Sequence, residues 1–169
     1  MALQPDATLN WGQAIVRFDP RSGQDYLIRL KCAHKGNSDK FHLVVLGGNL
    51  EDYSPGGSIP FPGDGASVMA VGAVDLTGKR LNYSSCGPNS SQPKPDFVGM
   101  IPFPSSVRQR PFAGTSAAAP QAAALAALCW ARYPQWTPRQ ICASFKEAAL
   151  DLCSPGHDCE TGYGLLRLP

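Results

Sequence analysis

Long apolar runs, dense charge and clustered basic residues are all missing from this sequence. No run approaches the roughly 18–20 apolar residues that a membrane helix needs, so no spanning helix is expected. The opening residues, MALQPDATLNWGQ, carry neither a basic stretch nor an apolar core, and do not read as a secretion signal. The net charge is only +2 and the lysines and arginines are scattered, which argues against a nucleic-acid partner. No helical periodicity is visible before about residue 116.

What is present is a globular composition with much punctuation. Hydrophobic residues make up 43% of 169, enough for one core. The 17 glycines and 16 prolines imply many ordered turns. Segments 13–18, 24–32 and 40–46 read as strands separated by turn-rich DPRSG and AHKGNSD, with Tyr26, Ile28 and Leu30 alternating onto one face. A small antiparallel β segment is therefore expected over residues 1–50, followed by a second region over 51–169. In that region a long Gly/Pro loop leads to SVMAVGAVD, a continuous apolar run that reads as a buried parallel strand. KPDFVGM reads as a further short strand.

From Ser116 to about Arg132 the pattern is helical and almost free of charge, so burial on most sides is expected. Pro120 is expected in its first turn, where a missing N–H costs little. A second helix has its own start signals. Thr137 as N-cap, Pro138 at N1 and Gln140 at N3 form a capping box, with Trp136 and Ile141 as a hydrophobic staple. Of the six cysteines, Cys129 and Cys142 fall in apolar helical patterns and read as buried hydrophobes. Cys153 and Cys159 flank a turn and are the first choice for a disulfide.

Ser116 has two readings on chemistry alone. It is a helix N-cap, the commonest role of serine there. Or it is a nucleophile, which needs a base for its proton and an acid to orient that base. A helix start suits the second role, because unpaired N–H groups and the partial positive charge face a developing oxyanion.

The motifs favour the nucleophile. GTSAAAP, SVMAVGAVD, YSSCGPN followed by KPDFVG, YPQWTPRQICASFKEAA and TGYG occur in order over residues 66–166. Together they resemble the subtilisin-like serine peptidases. The resemblance implies an α/β fold: a portion of a parallel sheet with a buried nucleophile helix. It implies Ser116 as the nucleophile of peptide-bond hydrolysis, peptide or protein as substrate, no cofactor, and a parent protein outside the cytoplasm. Gln121 stands where the family often has histidine, a position that supports the helix rather than the chemistry.

In that family the triad runs Asp, His, Ser along the chain. Neither an Asp-Ser/Thr-Gly nor a His-Gly-Thr motif is present. His34, His42 and His157 all lie in other contexts. The chain therefore resembles the C-terminal half of the domain, and residues 1–50 resemble the tail of an inserted β domain. The Asp and His are expected from an upstream segment or another chain. The alternatives are a catalytically incomplete pseudo-protease that binds or assembles, and an acid peptidase of the sedolisin type. Asn49, in VVLGGN, is the one candidate for the family's oxyanion asparagine, or else a turn residue. The C-terminal CSPGHDCETGYG reads as a structural or disulfide-closed turn; a structural calcium, as in sedolisins, and a zinc site are its other readings.

Overall fold

A computed structural model of the chain describes residues 7–8, 14–30, 43–45, 47–88, 92–107 and 109–169. Backbone contacts divide the chain into two units, 1–40 and 41–169. In the first unit β1 (Ala7–Thr8) and β2 (Ala14–Ile15) pair antiparallel. Residues 16–30 are turns and irregular chain rather than the expected strand. Leu27, Ile28 and Leu30 are exposed there. Tyr26 instead turns back on its own segment, its ring 4.9 Å from Phe18 and its hydroxyl accepting from Arg21 N at 2.8 Å. A strand needs a neighbour for its N–H and C=O groups, and among the described residues none pairs with 24–30. The segments around Cys32, His34 and His42 lie outside the described residues.

The second unit has β3 (Val71–Val74), β4 (Phe97–Met100), α1 (Thr115–Arg132) and α2 (Pro138–Ala148). β3 and β4 pair parallel, in register from Val71 opposite Phe97 to Val74 opposite Met100. Both strands are buried, as their continuous apolar sequences require. The C-terminal segment adds a further row, since Val98 N donates to Gly164 O at 3.0 Å and Leu166 N to Val98 O at 3.1 Å. Leu150 in turn exchanges two backbone bonds with Leu165. The class is α/β, as expected from the motifs.

α1 lies on the sheet and touches both strands. The approach is close because β4 offers no side chain at Gly99. A Cβ there would stand 3.1 Å from both Cα and Cβ of Ala118. Phe97, Ala122, Cys129, Ile141, Phe145 and Leu166 form the main core, and Phe97 meets Phe145 edge-on at 6.2 Å. The expected enclosure of α1 holds along one face only. Ala117, Ala118, Ala122 and Cys129 are buried, whereas Ala119, Ala123, Ala124 and Ala127 are exposed, with Leu128 at 56%.

α2 begins as its sequence dictates. Thr137 Oγ1 accepts from Gln140 N, and Gln140 Oε1 accepts from Thr137 N at 2.9 Å. Trp136 and Ile141 both pack on the main core. Among the described residues no helix is long and apolar enough to cross a membrane.

After β3 the chain turns around Asp75, whose Oδ1 accepts from Thr77 Oγ1 at 2.6 Å, Thr77 N at 2.8 Å and Lys79 N at 3.0 Å. These bonds, the Thr77 hydroxyl first, hold the Asp75 carboxyl below its ordinary value of 3.8. Its contribution to stability is therefore present at neutral pH and is lost as pH falls through that lowered value. An NMR titration of the Asp75 carboxyl is expected to give a midpoint below 3.8. Asp75→Asn is expected to flatten the acid limb of the stability profile.

Candidate active site

The loop from β4 to α1 is a narrow hairpin. Ile101 N is tied to Val74 O at 2.8 Å, and Phe103 and Phe112 exchange backbone bonds of 2.9 and 3.0 Å. The hairpin returns the chain to Gly114, which caps α1 with φ 92° and ψ 163°. This left-handed φ is open to glycine and strained for side chains bearing a Cβ. Thr115 and Ser116 are then the first two helical residues, and Ser116 is exposed.

Ser116 is thus inside the helix rather than its cap, and the cap, Gly114, makes no side-chain bond. The amides of Thr115 and Ser116 have no partner four residues back within the helix. No acidic residue sits in the first turn to offset the helix dipole. Pro120 lies in the second turn, not the first. Without an N–H it leaves the Ser116 carbonyl lacking its usual helical donor. The first turn of α1 therefore offers a hydroxyl, amides and partial positive charge to a polarised carbonyl.

Neighbouring segments hold this turn. Tyr83 Oη accepts from Gly114 N at 3.3 Å. Ser84, in the same turn as Tyr83, is buried and accepts from Ala73 N at 2.8 Å, fixing the turn to β3. Gln121 Nε2 donates to Met100 O at 3.1 Å and Ala117 O at 3.0 Å, tying α1 to the end of β4. Gln121→Ala is expected to cost about 1–2 kcal/mol in urea unfolding, with α1 retained by circular dichroism.

Below the strands lies a buried ion pair. Lys94 Nζ meets Asp96 Oδ2 at 2.7 Å, with side-chain exposures of 3% and 17%. Lys94 also donates to Val68 O, and Asp96 Oδ2 accepts from Ala70 N at 2.7 Å. The Lys-Pro-Asp sequence is thus a clamp between the segment entering β3 and the segment entering β4.

The other candidates are dispersed. Asn49 is exposed, just past a bend at 47–48. His157 Nε2 is 2.8 Å from Pro95 O and its ring stands edge-on to Tyr163 at 4.9 Å. Asp158 uses Oδ1 on Glu160 N and Thr161 N, and Oδ2 on Thr161 Oγ1. These bonds hold the turn from within, and His157 faces Pro95 O. Among the described residues no group of three or more His, Cys, Asp or Glu is arranged to hold a metal ion.

The expected Cys153–Cys159 disulfide is absent: both are exposed free thiols. Their turn is closed by Asp158 and by Gly156 N donating to Asp151 Oδ2 at 2.7 Å. Cys129 is buried, as its helical pattern implied, whereas Cys142 is only partly buried against the core. Burial pushes the Cys129 thiol up. The sequence pattern missed Tyr83 and the buried state of Lys94. YSS and KPD were visible as motifs, but a contact across 31 residues and a lysine's depth were not.

The sequence and fold have relatives. A sequence model of the subtilase family matches residues 9–164. A thermostable alkaline protease of Halalkalibacterium halodurans is 36% identical over 124 residues, 73% of this chain and 33% of that protein. Subtilisin DY of Bacillus licheniformis is 30% identical over 126 residues, 75% of this chain and 44% of its own length. A crystal structure of MycP1 with its N-terminal propeptide removed superposes with a TM-score of 0.50 at 25% identity, covering 63% of this chain and 36% of that one. The chain thus spans a third to less than half of these relatives. On the extent of these matches, the chain belongs to the subtilase family, the subtilisin-like serine peptidases.

Proposed function

We propose that this chain is the serine-bearing C-terminal portion of a subtilisin-like endopeptidase domain, in which Ser116 is the nucleophile. The observation that carries this reading is the exposed Ser116 hydroxyl on the first turn of α1, next to amides without helical partners. In this mechanism Ser116 Oγ attacks the carbonyl carbon of a peptide bond and its proton passes to a histidine base. The Ser116 N–H and the helix dipole receive the negative charge on the carbonyl oxygen. The amine leaves with that proton, and water then hydrolyses the ester on Ser116. Tyr83 and Gln121 hold the turn from either side.

The base and its orienting aspartate come, in this reading, from an upstream segment or a second chain. Two features support that. The chain covers 33% of the alkaline protease it resembles. The outer face of α1 is apolar and uncharged from Ala119 to Ala131, a surface suited to cover by such a segment. His157 is a poor base for Ser116, since its Nε2 is engaged with Pro95 O.

A second reading has its own support: no Asp-Ser/Thr-Gly or His-Gly-Thr motif occurs in the 169 residues. On that reading the chain is a binding or assembly module with an unused serine. The family match favours a subtilisin over the sedolisin alternative. The test is a fluorophosphonate probe applied to this chain and to a longer protein that contains it. Labelling of Ser116 in the longer protein alone supports the divided site. Labelling in neither removes the peptidase reading.

A further inference from the structure

We propose that Cys86 and Cys159 are an oxidisable pair whose disulfide would staple the turn beneath Tyr83 to the C-terminal turn. The observation is a backbone contact. Gly87 N donates to Cys159 O at 2.9 Å. The Cα atoms of residues 86 and 159 are therefore separated by two short covalent spans and one hydrogen bond. That path places them within about 6–7 Å, inside or at the edge of the range a disulfide spans. Cys159 Cβ lies 3.8 Å from where a Cβ on Gly87 would stand. Both sulfurs are free thiols.

The two thiols differ in a way that orders the chemistry. Cys159 is exposed, whereas Cys86 is 5% exposed and its Sγ is 2.9 Å from Pro55 O. A low-molecular-weight disulfide such as oxidised glutathione would react first at Cys159. The Cys159 thiolate attacks one sulfur of the oxidant, forming a mixed disulfide and releasing one glutathione thiolate. The Cys86 thiolate then attacks Cys159 Sγ and expels the second glutathione. Two protein thiols lose two electrons and two protons, one S–S bond forms, and one molecule of oxidant becomes two thiols.

Burial raises the Cys86 thiol above its ordinary value, opposed by Arg80 and reinforced by Glu160 and Cys159. Arg80 and Glu160 are the charged groups facing the pair, Nε to Oε2 at 3.8 Å. The second step should accordingly quicken as pH rises.

The assignment does not depend on Ser116 being a nucleophile. The full chain is incubated with oxidised glutathione, quenched with N-ethylmaleimide, and cleaved unreduced before aspartates. Cleavage before Asp75, Asp96, Asp151 and Asp158 puts Cys86, Cys153 and Cys159 on three different peptides. The expected product joins peptide 75–95 to peptide 158–169, with Tm raised by about 5–10 °C. Cys159→Ser, at an exposed position, is expected to abolish the linkage and the Tm shift, and Cys153→Ser to leave both intact. A Cys153–Cys159 linkage, any other partner for Cys159, or only a persistent glutathione adduct on Cys159 would overturn the proposal.

Discussion

Ser116→Ala, placed in a longer protein that supplies the base and acid, is expected to end fluorophosphonate labelling at this position and to lower peptide hydrolysis by about 10⁴–10⁶-fold, a scale set by the triad of subtilisin, to which this chain is related. The size of the effect follows from the step removed. Without a hydroxyl there is no ester intermediate, and the turn retains only its amides and dipole to polarise the carbonyl. The fold should not suffer, because Ser116 is exposed and serves neither as the cap of α1 nor as part of the core. Equal unfolding midpoints for Ser116→Ala and the parent, together with lost labelling, would place the effect in the chemistry. Unchanged hydrolysis would remove Ser116 from it.

The largest effect on stability is expected from Asp96→Asn. Lys94 is a buried cation whose carboxylate partner is 2.7 Å away. Neutralising Asp96 leaves that charge in a poorly hydrated place, and losing one member of a buried pair costs about 3–5 kcal/mol. The same oxygen also accepts from Ala70 N, so the entry to β3 loosens as well. Urea unfolding of the full chain measures the loss. Lys94→Met on the Asp96→Asn background is expected to recover much of it, because the stranded charge is then gone. If Asp96→Asn costs less than about 1 kcal/mol, the pair behaves like an exposed one and the clamp is not its role.

These two sites differ in how far the sequence exposed them. Ser116 stood out because its signal is local: glycine, threonine, serine and small residues opening a helix. α2 was equally legible, since Thr137, Pro138 and Gln140 act on one another within a single turn. β3 and β4 could be read because a buried parallel strand writes an unbroken apolar run. Lys94 was not legible. Lysine ordinarily lies in solvent, and only the folded chain brings Val68 O and Asp96 around its ammonium.

The misread places have the same physical origin. Tyr26, Ile28 and Leu30 alternate as a strand would, yet alternation names a face without providing a partner for the backbone. The alanines of α1 implied burial on most sides, but among the described residues the helix is covered on the side that meets β3, β4 and α2, while Ala119, Ala123, Ala124 and Ala127 stay exposed. Cys153 and Cys159 were paired on nearness in sequence, although the backbone contact of Cys159 is with Gly87.

The row added by Gly164 and Leu166 beside Val98 has a bearing on how the polypeptide is made. β4 leaves the ribosome long before the segment that flanks it, so the Val98 amide and carbonyl must wait for Gly164 and Leu166. α1 and α2 are synthesised in the interval and can form locally, but the core around Phe97 stays open until Leu166 closes it. Contacts of such long sequence separation slow folding. Assembly of this unit therefore follows the synthesis of Leu166, and a nascent chain stopped before Gly164 holds its two helices over an unfinished sheet.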